Sequence, residues 1–246
     1  MRRSHAAPGV AQAGPVTRAD HADVRPVQVR VVVVRAGALS DGLAEGVLSE
    51  AERVRARAHR RPEDRRLSAT ASALVRVIAG QALGARPESV TVTRRCPACG
   101  GPHGAPFVDG APLLSVSHGD GFAVVAACDL PVGVDVEPVG RVGVGSVAGV
   151  LLGPHEPPSD DAGLLRTWVR KEAVVKATGV GLTVPLSDVR VSAPHEPAAV
   201  VRYGPRPGLA IALADVPLGG AHLSVAVVTD RQIQVLVEDG ASWVTR

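Results

Sequence analysis

The segment Val132-Gly133-Val134-Asp135-Val136-Glu137 restricts the fold more than any other part of the chain. Its side chains alternate with a period of two, so it predicts a β-strand over 132–137 with Val132, Val134 and Val136 turned towards a core. Asp135 and Glu137 then leave the opposite face, about 7 Å apart along the strand. Two carboxylates held that close repel each other, and solvent, a proton or a cation must relieve them. Taken alone, the segment also fits a half-exposed edge strand whose acids lie in water.

A second segment adds to the first. Residues 162–178 predict a helix. At 100° per residue, Leu165, Trp168, Val169, Glu172, Ala173 and Lys176 fall within one arc of about 140°. Arg166, Thr167, Arg170, Val174 and Thr178 occupy the far side. Opposite charges four residues apart usually form a solvated pair. Here the pair shares its side with Trp168 and Val169, and a half-buried charge is costly unless something partners it. Of 27 basic residues only Lys171 and Lys176 are lysines, and both lie on this helix. If strand and helix meet, Asp135, Glu137 and Glu172 converge beside one ammonium. An all-oxygen donor set suits magnesium, which keeps some waters and is completed by substrate phosphates. The chemistry favoured is phosphoryl transfer, with a carboxylate taking the proton of an incoming hydroxyl and the ammonium steadying the leaving oxygen.

Around these segments the chain reads as mixed α and β. Residues 1–26 carry Ala, Pro, Gly and charge without apolar periodicity and predict a disordered tail. A β-branched strand follows at 27–35, then two helices within 48–84 parted near Pro62. Strands are expected at 90–94, 113–117, 122–128 and 132–137. After the helix the order repeats roughly, with strands near 188–192, 199–203, 209–213 and 222–228. The simplest summary is two similar lobes, 27–129 and 130–246. With 246 residues, 46% hydrophobic, the chain buries a sizeable core. A net charge of +3 and few aromatic residues argue against nucleic acid. No apolar run reaches the roughly 20 residues of a membrane span. With no export signal evident and three sparse cysteines, a cytoplasmic protein with reduced thiols and no disulfide framework is expected.

The acidic strand, followed some thirty residues later by Trp168-Val169-Arg170-Lys171-Glu172-Ala173-Val174-Val175-Lys176, resembles the signature pair of the surfactin-type branch of the 4'-phosphopantetheinyl transferase superfamily. That pattern is a Gly-x-Asp-x-Glu strand and a Trp-x-x-Lys-Glu-x-x-x-Lys helix, continued here by Gly179-Val180-Gly181-Leu182. Ser115-Val116-Ser117-His118 resembles a third motif of the family. The resemblance implies an α/β (α+β) fold of two pseudo-symmetric lobes, each a small, mostly antiparallel sheet packed with helices, with coenzyme A in the cleft between them. It implies a magnesium-dependent enzyme that moves phosphopantetheine from coenzyme A to a serine of an apo acyl- or peptidyl-carrier protein. Asp135, Glu137 and Glu172 are then the magnesium ligands, Glu172 or Glu137 the base, and Lys176 the contact to the reacting diphosphate. Ser117 and His118 hold phosphates of coenzyme A, while Arg55 and Ser68 align with positions that touch its nucleotide end.

Three departures bear on cofactor affinity: Ala105 stands in Gly104-Ala105-Pro106 where the family often has a basic residue, Glu52 replaces another, and Gly119 replaces a serine. They leave a second reading open, a degenerate homologue that binds coenzyme A without turnover. Seven arginines between Arg53 and Arg66 form either a solvated helix face or a surface for cofactor phosphates and an acidic carrier. Cys96-Pro97-Ala98-Cys99 with His103 has the spacing of a zinc knuckle that lacks a fourth ligand, which Cys128 or His118 would have to supply. Together with the arginine run it also suggests a nucleic-acid module. Two lobes in one chain make a monomer the simpler expectation.

Overall fold

Alternation of β-branched residues produces the first strand, β1 (Val27–Arg35), and punctuation by Ser49, Pro62 and Gly84 produces the helices that follow. A computed structural model describes residues 25–36, 46–96, 99–141 and 143–244, so nearly all of the expected disordered tail lies outside the described residues. Helix α1 (Glu50–Arg57) starts in a capping box between Ser49 and Glu52. Helix α2 (Pro62–Leu83) carries proline in its first turn and ends at Gly84 in the left-handed conformation. Then come β2 (Thr93–Arg94), β3 (Pro106–Phe107), β4 (Leu113–Gly119), β5 (Phe122–Cys128) and β6 (Val132–Pro138). The second half contains short α3 (Ala148–Leu151), α4 (Asp161–Ala177), β7 (Val189–Val191), β8 (Val200–Tyr203), β9 (Ala212–Asp215), β10 (Ala221–Val227), β11 (Ile233–Asp239) and short α5 (Ala241–Val244).

The fold is of the expected mixed class, with small sheets and helices. One sheet has the order β11-β1-β5-β4 and another β6-β10-β9, with the ribbons β2-β3 and β7-β8 beside them. Every ladder is antiparallel except that between β1 and β11. The β4–β5 hairpin turns through Asp120 and Gly121, both at positive φ, as a tight two-residue hairpin requires. Two expectations shift. The strand expected at 90–94 shortens to β2, because Val90 closes the 3-10 turn Pro87–Ser89 and its carbonyl accepts from Arg76. The strand expected at 209–213 lies at β9. Strands β3 and β11 and helix α5 were not anticipated, and β11 returns from the second half of the chain to lie along β1. No helix among the described residues is long and apolar enough to cross a membrane.

The layers run helix, sheet, sheet, helix. Alternate residues of β1 and β5 meet those of β6 and β10 in a central core that includes Val29, Val31, Val124, Val134 and Val225. The other face of β1 and β5 packs on Leu74, Ile78 and Ala79 of α2. Helix α4 covers the second sheet through Leu165, Ala173 and Val174. It is buried nearly all round, which overturns the two-faced wheel read from the sequence. Arg170 is 1% exposed and is saturated by Asp215, Ser192, Ala193 and Glu196. Lys171 is fully buried and donates to the Leu151 carbonyl (2.7 Å) and to Glu156.

Two features fix β6. On its edge away from β10, the N–H of Val134 donates to Ser115 Oγ (3.1 Å) and that of Val136 to Ser117 Oγ (3.4 Å), so hydroxyls of β4 take the place of a backbone ladder where the sheets meet. On its helix side, Gly133 lies so near α4 that a Cβ there would come within 3.0 Å of the Ala173 carbonyl oxygen and the Ala177 nitrogen, both backbone atoms. Gly133→Ala must therefore push strand and helix apart. It is expected to cost roughly 1–3 kcal/mol in urea unfolding, whereas Gly149→Ala, at an exposed glycine of α3 with open space around it, changes stability by no more than about 1 kcal/mol.

Candidate active site

The close packing at Gly133 sets Asp135, two residues further along β6, against the last turn of α4. Asp135 is 5% exposed, and its Oδ1 accepts from Lys176 Nζ (2.6 Å) and from Ser117 Oγ (2.8 Å). Lys176 Nζ also donates to the Val134 carbonyl (3.1 Å), so the ammonium is seated by backbone as well as by charge. Glu172 lies one turn earlier on α4, 9% exposed. Its carboxyl is pushed up to about 7, first by burial and next by the Asp135 charge, with Lys176 opposing and Glu137 adding to the rise. Glu137, on the same face of β6 but nearer solvent, forms an ion pair with Arg141. Burial raises its pKa, the Arg141 hydrogen bond opposes that, and Asp135 reinforces it.

Two oxygens in this cluster are buried without a hydrogen-bond partner among the described residues, Asp135 Oδ2 and Glu172 Oε1. Orphaned carboxylate oxygens are expensive unless a cation meets them. Hard oxygen donors, one of them partly exposed, fit a magnesium-sized ion that retains waters. The three carboxylates do not gather within 4.8 Å of one another; among the described residues the group that does so is Cys96, Cys99 and His103.

Beside the acids opens a cleft of about 930 Å³ lined by Arg94, His103, Ser115, Val116, Lys176 and Gly179, among others. His118, on β4, is partly buried with its ring edge-on to that of His59 at 5.4 Å. Its pKa falls to about 4, chiefly through burial and then through His59, Lys176 and Arg94, so the ring is neutral at pH 7. Ser117 faces inward, its hydroxyl engaged by Asp135 and the Val136 N–H. Ser68 is buried on α2. Arg55, on α1, has a buried Nη1 with no partner among the described residues, and Arg94 Nε is in the same position. Burial, then the nearby Arg55 cation, lowers Arg94 to about 10, against the pull of Glu52. Two guanidinium groups side by side with unmet donors form a cradle for an anion. Arg94 escaped the sequence reading; its signal was its place two residues before Cys96, on an arm that the glycine-proline segment closes.

The remaining candidates separate cleanly. Much of the arginine run is spent locally: Arg53 and Arg57 on Glu50, Arg61 on Asp120, and Arg65 on the His59 carbonyl. Glu52 is buried and receives Ser49, at its N–H and hydroxyl, and Arg76 Nε (2.7 Å), so an acid at this position holds α1 to α2. Neither Cys128 nor His118 joins Cys96, Cys99 and His103, and the expected fourth ligand is not supplied by them. Cys128 is buried on β5, where its Sγ accepts from the Leu130 N–H.

The raised pKa of Glu172 has a consequence for stability. The unfolded carboxyl titrates near 4.5 and the folded one near 7, so the native state holds the proton more tightly. This group's contribution is therefore greatest below pH 4.5 and is lost as pH rises through 7. With divalent ions chelated, Glu172→Gln should raise Tm by roughly 3–6 °C at pH 8 and by much less at pH 5. Equal shifts at both pH values in thermal melts would contradict this origin.

Residues 131–227, which hold β6, α4 and β10, match the model of the 4'-phosphopantetheinyl transferase superfamily. The chain is also 28% identical over 93 residues to 4'-phosphopantetheinyl transferase gsp of Aneurinibacillus migulanus, an alignment covering 35% of this chain and 39% of that relative. The chain thus matches about two fifths of the relative's length. The acidic strand and the lysine helix both lie within that matched segment, and over residues 131–227 the chain is similar to the 4'-phosphopantetheinyl transferase superfamily.

Proposed function

We propose that this protein transfers the 4'-phosphopantetheine group of coenzyme A to a serine of an apo acyl- or peptidyl-carrier protein, as a surfactin-type transferase. The observation that carries the reading is the pair of orphaned oxygens, Asp135 Oδ2 and Glu172 Oε1, buried beside Lys176 at the edge of an open cleft. Asp135, Glu137 and Glu172 would hold magnesium there, and the ion, when bound, neutralises charge on the diphosphate. Lys176 can turn its ammonium from Asp135 to the oxygen that leaves. Glu172 or Glu137 accepts the proton of the carrier serine as that oxygen bonds to the phosphorus next to pantetheine. The bond from that phosphorus to the bridging oxygen breaks, and adenosine 3',5'-bisphosphate departs with the electron pair. Ser117 acts through Asp135, fixing its rotamer, and neutral His118 offers a hydrogen bond to a phosphate oxygen.

The Arg55–Arg94 pair supports an anion site at the nucleotide end and supplies cationic groups where Glu52 and Ala105 provide none. Ser68 lies on the helix beside α1 and completes the same end. This favours turnover over the degenerate binder, because Glu52 has a structural task of its own. The reading also places the protein in the cytoplasm, where coenzyme A and carriers meet, and treats it as a monomer whose two lobes frame the cleft.

Incubation with coenzyme A, magnesium and apo-carriers should give the phosphopantetheine adduct by intact mass spectrometry. Asp135→Asn and Glu172→Gln should each lower kcat by about 100-fold or more. Coenzyme A binding by calorimetry without adduct on any of several carriers would instead establish the degenerate homologue. Arg94→Ala should raise KM for coenzyme A about tenfold with kcat little changed; a loss confined to kcat would remove Arg94 from the anion site.

A further inference from the structure

We infer that Cys96, Cys99 and His103 bind one zinc ion, and that this ion fastens the arm 93–107 which carries Arg94 to the cleft. Their ligand atoms all lie within 4.8 Å of one another. The backbone is folded for the purpose: Gly100 N donates to the Cys96 carbonyl (2.8 Å), Cys96 N to the Gly101 carbonyl (2.9 Å), and Gly100 takes the left-handed conformation that reverses the chain. Gly101 N also points at Cys99 Sγ (3.4 Å), the kind of outer hydrogen bond that orients a thiolate ligand. Cys99 Sγ lies 3.0 Å from His103 Nε2, and a tetrahedral zinc site asks its ligand atoms to stand about 3.5–3.8 Å apart. Opening by about half an ångström between these two exposed side chains brings that pair to the geometry.

The donor chemistry selects the ion. Two thiolates and an imidazole favour zinc over the hard cation suited to Asp135 and Glu172. With three protein ligands the fourth position falls to water or another small donor, and two of the three, Cys96 and His103, line the cleft.

The arm needs such a clip. Strands β2 and β3 are two residues each, and an isolated ribbon of that size is marginal in water. The arm nevertheless presents Arg94, whose Nη1 donates to the Gly104 carbonyl (2.7 Å), and it brings Gly104, Ala105 and Pro106 to the cleft wall. Metal binding across a loop stabilises the closed form by the free energy of coordination. The zinc site stands on its own geometry and does not depend on the transfer reaction.

The test uses the whole protein, reduced and dialysed, with Zn2+ or Co2+ alone as probe. The expected result is about one zinc per chain by elemental analysis, and visible spectra of tetrahedral, thiolate-ligated cobalt after exchange. Cys96→Ser and Cys99→Ser should lose the metal, while Cys128→Ser keeps it. Unaltered protein gives an independent readout: Zn2+ should slow alkylation of Cys96 and Cys99 at least about tenfold and should slow protease cleavage within 95–105. Absence of stoichiometric zinc, together with alkylation rates indifferent to Zn2+, would overturn the proposal. Neither measurement involves carrier modification, so failure of one reading is distinguishable from failure of the other.

Discussion

The backbone contact between Gly133 and helix α4 governs the rest of the site. Without a side chain at that position, β6 rests directly on the Ala173 and Ala177 backbone, and this proximity alone puts Asp135 within hydrogen-bond reach of Lys176. A larger residue would leave the charges on strand and helix in place along the sequence and separate them in space. The dense packing of α4 works to the same end. A helix buried on nearly every side has few alternative positions, so the acids it carries are held to the geometry that its neighbours dictate.

Burial sorts the cations of α4 by task. Arg170 and Lys171 are the more deeply buried, and their carboxylate partners, Asp215 and Glu156, are themselves held by further hydrogen bonds. They are anchors. Lys176 keeps 27% of its side chain exposed and pairs with an aspartate that has an oxygen to spare. A cation whose carboxylate partner is fully held builds the structure, and a cation whose partner remains under-coordinated is the one available for chemistry. By the same logic Arg55 and Arg94 are set apart by a buried donor left unmet, Nη1 of the first and Nε of the second.

What the sequence made legible followed from local periodicity. Strand β6 could be read because valines and acids alternate without interruption, and α4 because its apolar residues recur at helical spacing. The burial of the far side of α4 was not legible, because periodicity has no knowledge of Asp215 and Glu156, which take up Arg170 and Lys171. Strand β11 escaped notice because it is an edge, with every residue half-buried or exposed and an acidic C-terminal end. The importance of Arg94 was hidden by abundance: among many arginines, only the fold reveals which one has been brought in from solvent beside another. Glu52 looked like a missing cation and is instead the hub between α1 and α2.

The parallel pairing of β1 with β11 joins Val27 to Ile233, and Val33 to Asp239. A sheet whose neighbouring strands lie so far apart in sequence closes only after a large entropic cost has been met. During synthesis β1 therefore emerges well before its parallel neighbour β11, and that ladder closes only after the other described strands have been made. Among the described strands the earliest in the chain is thus completed by the latest, and closure of that edge is timed by β11.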